Sequence, residues 1–240
     1  MKFKSLFLVV LILPLIFSCE QELKPIDVIE ASIKYHDPSN NWDTFNGQLN
    51  ITMTIPDQPE RLSDIKINLP EEYFYVEARR DTLTTVYEVS GNDCRISFNG
   101  ETEFSEQQKK DYRLDCDTAK RYRDYYTYLY GLPMKLKDPG THISDALEVK
   151  TFKGKEYLVV KATYDEAVGS DIWYFYFDLN TFAMEIYQFF KTDANGNLDS
   201  ASGEYILLTE EKVVNDIKMP KVRAWYYNKD DVFLGTDVLN

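Results

Sequence analysis

Only a few side chains in this sequence have the types and spacing that chemistry requires. Asp193, Asn195, Asn197, Asp199 and Glu204 place oxygen donors at the spacing of a calcium loop, with Glu204 twelfth when Asp193 is first. Leu198 occupies the position where such a loop turns on glycine, and the flanks alternate like strands where a calcium loop has helices. Asn195-Gly196 is a hairpin turn signal, so Asp193 to Glu204 reads as a plain connection, with calcium as the lesser alternative. His36 and His142 are the only imidazoles. Neither lies near a Ser or Cys nucleophile motif, and both read as capping or surface residues. No Gly-rich phosphate loop, HExxH or GxSxG occurs. On a chain this acidic, any one pair of carboxylates is expected by chance. The expectation is a protein that is not an enzyme and that carries no metal and no cofactor.

What remains is aromatic: 18 tyrosines and 14 phenylalanines. In Trp173-Tyr174-Phe175-Tyr176-Phe177, strand alternation puts Trp173, Phe175 and Phe177 on one face and Tyr174 and Tyr176 on the other. A strand that is aromatic on both faces is covered on both sides, or lines a cavity on one. Tyr122, Tyr125, Tyr126 and Leu129 recur at i, i+3, i+4 and i+7, one face of a helix. Tyr187, Phe189, Phe190 and then Trp225, Tyr226, Tyr227 extend the theme. Packed core is the ordinary role of such stripes. The functional role is an apolar pocket for an acyl chain or similar ligand, lined by Tyr122, Tyr125, Tyr126, Leu129, Trp173, Phe175 and Phe177.

Two helices and about twelve strands must position these residues. Pro25 to His36 is a helix with Ile26, Ile29 and Ile33 on one face and Asp37-Pro38 as its stop. Strands follow over residues 49–55, 65–69, 73–78, 83–89 and 94–98. The tyrosine helix spans about Thr118 to Tyr130, with Asp115, Asp117 and Thr118 as N-cap candidates and Gly131 as its stop. Further strands cover 147–152, 157–164, 172–178, 182–191, 204–210, 221–227 and 232–238, with a long loop over 192–203. Strand after strand with short turns means a mainly β (α+β) fold: one antiparallel sheet that curls, or a half-open β-barrel, with a helix on its concave face. No composition break divides residues 25–240, which read as a single domain.

The formal charge of −13 repels phosphate backbones and anionic headgroups, arguing against nucleic acid as a partner and against adhesion to lipid by surface charge. Hydrophobic residues at 44% supply a folded core. At the N-terminus, Lys2 and Lys4 precede an apolar stretch from Leu6 to Phe17, too short to span a bilayer as a helix. It ends Ile16-Phe17-Ser18-Cys19, which resembles the lipobox of bacterial lipoproteins. That resemblance implies a signal peptide over 1–18, removal of it, acylation of Cys19 and a short tether over 19–24. It places the chain at the cell envelope, lipid-anchored, on the periplasmic or surface face of an outer membrane. Two or three acyl chains hold a protein to a membrane where one does not. With Cys19 lipidated, Cys94 and Cys116 remain as an even pair in an oxidising compartment. They are expected to bridge, the alternative being two buried thiols.

The stretches Ile29–Pro38, Tyr125–Gly140, Gly154–Leu158, Trp173–Asp178 and Gly203–Leu208 together resemble an uncharacterised family of Bacteroidota lipoproteins. The resemblance spans nearly the whole chain beyond the signal and carries no assigned activity and no catalytic residue. In layout the chain is also similar to the LolA/LolB type of lipoprotein-sorting fold, a half-open antiparallel barrel whose aromatic concave face is covered by helices and accepts acyl chains. Together these imply binding of an apolar ligand, an acyl chain of a lipid or lipoprotein, in a concave cavity. The alternative is a structural or assembly lipoprotein whose core is filled by its own side chains.

Overall fold

The structure, a computed structural model, describes residues 22–193 and 195–240. The expected signal peptide over 1–18 and the expected lipid-bearing Cys19 lie outside these residues. Helix α1 (Pro25–His36) is followed by β1 (Asn46–Thr54), β2 (Arg61–Asn68), β3 (Tyr73–Arg80), β4 (Leu83–Ser90) and β5 (Asp93–Phe98). Helices α2 (Glu106–Tyr112) and α3 (Cys116–Gly131) come next. The chain then continues through β6 (Thr141–Phe152), β7 (Lys155–Tyr164), β8 (Ile172–Asp178), β9 (Met184–Phe190), β10 (Glu204–Val214), β11 (Ile217–Tyr227) and β12 (Phe233–Leu239).

All twelve strands form one antiparallel sheet in the order β5-β4-β3-β2-β1-β12-β11-β10-β9-β8-β7-β6. Every neighbour is also a neighbour in sequence except the pair β1 and β12. The chain therefore makes two meanders, β1 to β5 and β6 to β12, and crosses from one edge of the sheet to the other between them. Helices α2 and α3 are that crossing. Of the two forms expected, curled sheet or half-open barrel, the structure is the open curled sheet. Edges β5 and β6 each bond one neighbour, and the sheet does not close into a barrel.

The core lies between one face of the sheet and the helices. Leu49, Ile65, Phe74, Val76 and Val89 from the first meander, and Val160, Phe175, Phe177, Tyr187 and Ile206 from the second, join Val28, Ile29, Ala119 and Tyr126 of α1 and α3 in one buried cluster. On the other face Tyr157, Val159, Tyr176 and Ile186 make a smaller patch with Phe152, Tyr174 and Leu207. Both faces of the Trp173–Phe177 strand are thus covered, as its composition requires.

Helix α1 has the expected bounds but turns a different face inward. Val28, Ile29, Ser32 and His36 are buried, whereas Ile26 is 42% exposed. His36 corrects the expectation of a surface or capping residue. Its Nδ1 bonds the Lys218 carbonyl at 2.8 Å and its Nε2 bonds the Met184 amide at 3.0 Å. Two polar partners make a buried imidazole acceptable on a face that apolar periodicity alone does not reveal.

Asp115 caps α3, its carboxylate accepting the Thr118 amide at 2.6 Å. The helix ends at Gly131, where a Cβ would run into the Trp42 indole. Helix α2 was not anticipated from the apolar pattern because none of its residues is buried. Its signal was the capping box Ser105-x-x-Gln108, in which each side chain accepts the other residue's amide, at 3.2 and 2.9 Å. Cys94 of β5 and Cys116 at the start of α3 are joined as a disulfide, with Cα atoms 5.8 Å apart.

Candidate functional site

The register of the central strands builds a polar row on the inner face. Arg223 of β11 stands opposite Asp237 of β12, which stands opposite Met53 of β1, then Arg61 of β2 and Arg80 of β3. Residues directly opposite one another share a face. Arg223 is 1% exposed and lies 3.8 Å over the Tyr130 ring, donating to the Pro220 and Leu129 carbonyls at 3.1 and 3.4 Å. Arg61 donates to the Tyr126 hydroxyl at 3.0 Å, and Arg80 reaches the Met53 sulfur at 3.8 Å.

This layer is short of hydrogen-bond partners. Among the described residues, Asp237 Oδ1, Trp225 Nε1, Arg223 Nε, Arg61 Nε and the hydroxyls of Tyr130 and Tyr187 complete no hydrogen bond. Burial raises the Asp237 carboxyl above the usual carboxylate range, while Arg223 and Arg61 pull it back. Burial likewise pushes the Tyr126 hydroxyl up to about 12. The buried Asp237 carboxyl thus feels the charge of two guanidinium groups, with Trp225 also favouring its ionised form, and among the described residues it makes no ion pair with either arginine.

Beside this layer is a pocket of about 270 Å³ lined by Met53, Ile55, Tyr125, Glu204, Trp225, Leu234, Gly235, Thr236 and Asp237. The walls are apolar. The Tyr125 ring, 38% exposed, is stacked at 6.4 Å on Trp225, which in turn meets Tyr187 edge-on at 6.2 Å. Gly235 stands opposite Trp225 at a break in the β11–β12 register. A Cβ there would come within 2.5 Å of the Thr54 carbonyl, so only glycine lets β1 and β12 approach at this point. Glu204 is a second carboxyl in the lining, also raised by burial, with Lys191 opposing.

The structure divides the seven aromatic and aliphatic residues expected to line a single cavity. Phe175 and Phe177 are 0% exposed, and Tyr126 and Leu129 are buried with them as core. Tyr122 is half-buried and stacks on Tyr87 at 5.2 Å. Only Tyr125 reaches the Met53–Trp225 pocket. Trp173 lines another pocket of about 500 Å³ with Tyr128, Tyr164, Lys135, Asp138 and Asp171. The reason is cover: α3 lies against β3, β4 and β5, so most of its tyrosine face is spent on packing. Sequence reasoning placed Trp225 in an aromatic run but missed Met53, Ile55, Leu234 and Asp237. They meet only because β1 and β12 pair, which no local pattern announces.

The loop from Asp193 is a turn. The Asp193 carboxylate accepts the amides of Asn195 and Asn197 at 2.8 and 2.9 Å, which hold it below its usual range. Glu204, the twelfth residue of the supposed calcium loop, lines the apolar pocket instead. Among the described residues no group of three or more His, Cys, Asp or Glu is placed to hold a metal ion. His142 is exposed and pairs with Asp165 at 2.6 Å.

The model of a family of unknown function (DUF6503) matches residues 4–239. No curated protein matches the chain. Among solved structures, a LolA superfamily protein from Nitrosomonas europaea is similar in fold, with a TM-score of 0.53 and 12% identity over 91% of this chain and 92% of that one. A DUF1329 family protein from Desulfovibrio piger gives a TM-score of 0.46 and 6% identity over 89% and 90%. The curled, open sheet with a tyrosine-rich mid-chain helix is a LolA-like fold.

Proposed function

The chain belongs to the DUF6503 family, whose function is unknown, and we propose that it is a non-catalytic, lipid-anchored protein of the cell envelope that binds an apolar ligand in the Tyr125–Trp225 pocket. The ligand class is an acyl chain of a lipid or lipoprotein, or another apolar small molecule. One observation carries this reading: an open, apolar pocket at the seam between β1 and β12, with Tyr125 half in solvent over Trp225. Apolar area removed from water is worth about 25 cal/mol per Å², so a chain burying on the order of 200 Å² gains about 5 kcal/mol before the cost of association. The LolA-like fold supports the reading by analogy of architecture alone. Anchoring rests on Cys19 at the end of the signal-like segment.

A second reading has an observation of its own. Phe175, Phe177, Tyr126 and Leu129 fill the inner face, which favours a structural or assembly lipoprotein with a self-filled core. Native mass spectrometry of the chain purified from membranes separates the two. A co-purifying lipid mass that is lost in Tyr125→Glu supports the pocket. A bare chain that also takes up no neutral, environment-sensitive apolar dye supports the self-filled core.

A further inference from the structure

The apolar periodicity of α1 puts Ile26 on its buried face, yet the structure leaves Ile26 exposed, and Leu23 just before the helix with it. Neither stands alone. Both line a cleft of about 850 Å³ between the first turn of α1 and edge strand β6, together with Ile143, Leu147, Val149 and Leu158. Val149 is 60% exposed. Strand β6 bonds only β7, and its register breaks between Ile143 and Leu147, so no further strand covers this side. The path of the chain into the cleft is fixed, because the Lys24 amide donates to the Asp27 carboxylate at 2.9 Å and Pro25 opens the helix. A single exposed leucine needs no explanation, but a contiguous group of apolar side chains left in water marks a contact surface.

What covers this surface follows from the residues that precede it. Leu23 stands four residues after Cys19, a span of at most about 14 Å even when fully extended. We propose that the face formed by Leu23, Ile26 and Val149 rests on the lipid bilayer that holds Cys19, its side chains entering the head-group boundary and fixing the orientation of the sheet on the membrane. The inference rests on the anchoring of Cys19 and adds the surface that meets the lipid. An anchor this close keeps the face at a high effective concentration of lipid, so a few shallow apolar contacts hold an orientation although they would not hold a free protein. Charge sets the kind of membrane. In the cleft lining Glu22 and Asp145 oppose the one lysine, Lys24, on a chain of formal charge −13, so the face fits a zwitterionic surface and is repelled by an anionic one.

The test reads proximity to lipid at Val149, which is far from Cys19 in sequence and does not reach the bilayer through the tether alone. The lipidated chain carrying Val149→Trp is reconstituted on vesicles of phosphatidylcholine brominated in its acyl chains. Leu83→Trp, at an exposed position in the other meander, is the control, and the wild type gives the background of its own three tryptophans. Both substituted positions are exposed, so the substitutions leave the fold alone. The Val149→Trp emission is expected to be quenched several-fold more than that of Leu83→Trp. Adding Leu23→Asp and Ile26→Asp should remove that difference while the chain still sediments with the vesicles. Equal quenching at the two positions, or none at either, in a chain that sediments with the vesicles overturns the face and leaves the anchor standing. A chain that does not sediment with them overturns the anchor and the inference together. A difference that grows when anionic phosphatidylglycerol is added overturns the zwitterionic assignment. Emission from Val149→Trp that is blue-shifted before vesicles are added and unquenched by brominated lipid overturns the bilayer as the cover. The native mass then names the cover, a dimer meaning a second copy and a monomer the chain's own acyl tail.

Discussion

The imidazole of His36, in the last turn of α1, holds the backbone of Met184 at the start of β9. Its Nε2 accepts the Met184 N–H at 3.0 Å while Nδ1–H donates to the Lys218 carbonyl at 2.8 Å. A carbonyl on one nitrogen and an amide on the other define the neutral tautomer. Burial lowers the pKa of the ring, with the Lys218 carbonyl opposing. A base whose pKa falls on folding favours the neutral form, so the native state gains most above the unfolded value of about 6.5. That gain is lost as pH falls from there through the lowered folded pKa. Denaturant unfolding at pH 7.5 and at pH 5 should show lower stability at the acid end. His36→Phe should cost about 1–3 kcal/mol at pH 7.5, from two lost hydrogen bonds, and flatten this part of the pH profile.

Phe175 and Tyr125 should separate core from pocket. Phe175 is 0% exposed, and placing a carboxylate there buries an unpaired charge. Phe175→Asp should therefore give an unfolded or aggregated chain by circular dichroism. Tyr125→Ala removes a half-exposed ring from the pocket mouth and should lower apolar dye affinity about tenfold, with stability reduced by no more than about 1 kcal/mol. A Tyr125→Ala chain that binds the dye as tightly as the wild type would remove the ring from the site.

The Cys94–Cys116 bridge ties edge strand β5 to the first turn of α3 across a separation of 22 residues. Closing a loop of this size stabilises the native chain by roughly 3 kcal/mol in the chain-entropy picture. Unfolding free energies from denaturant titrations should be lower by about that amount with reductant, and for a Cys94→Ser, Cys116→Ser double variant, than for the oxidised chain. Two alkylatable thiols in native, unreduced protein would contradict the bridge.

Anchoring is testable at one atom. Cys19→Ser should move the chain from the membrane to the soluble fraction and abolish metabolic labelling with palmitate. Labelling retained in the variant would move the acyl chain to another residue.

How far the sequence carried the structure depended on whether each signal was local. Helix α1 begins and ends where Pro25 and Asp37-Pro38 place it, and Ile172–Asp178 is a strand with the bounds its alternation implies. Helix α2 escaped because it buries nothing, and only its Ser105–Gln108 cap marked it. The pocket escaped for a different reason. Arg223 and Asp237 look like solvent-facing positions in a strand, since charged residues are rarely buried unless paired. Their burial depends on the C-terminal half of α3, whose Tyr126, Leu129 and Tyr130 reach Arg61 and Arg223 in a row drawn from β11, β12, β1 and β2. The tyrosine stripe was legible as a helix face, but its division between core and pocket follows from where the sheet curls beneath it.

The pairing of β1 with β12 also orders events in time. Each meander is made of hairpins whose partners are close in sequence, and such contacts close quickly and at small entropic cost. The ladder from Ile51 opposite Leu239 to Thr54 opposite Thr236 joins residues nearly a whole chain apart. Loop-closure entropy therefore predicts that this ladder closes late, after the hairpins on either side of it. Met53 and Asp237 face each other across that ladder, so the pocket does not exist in either half. It comes into being only as the halves meet, and a transient parting of this one seam would open it without unravelling either meander.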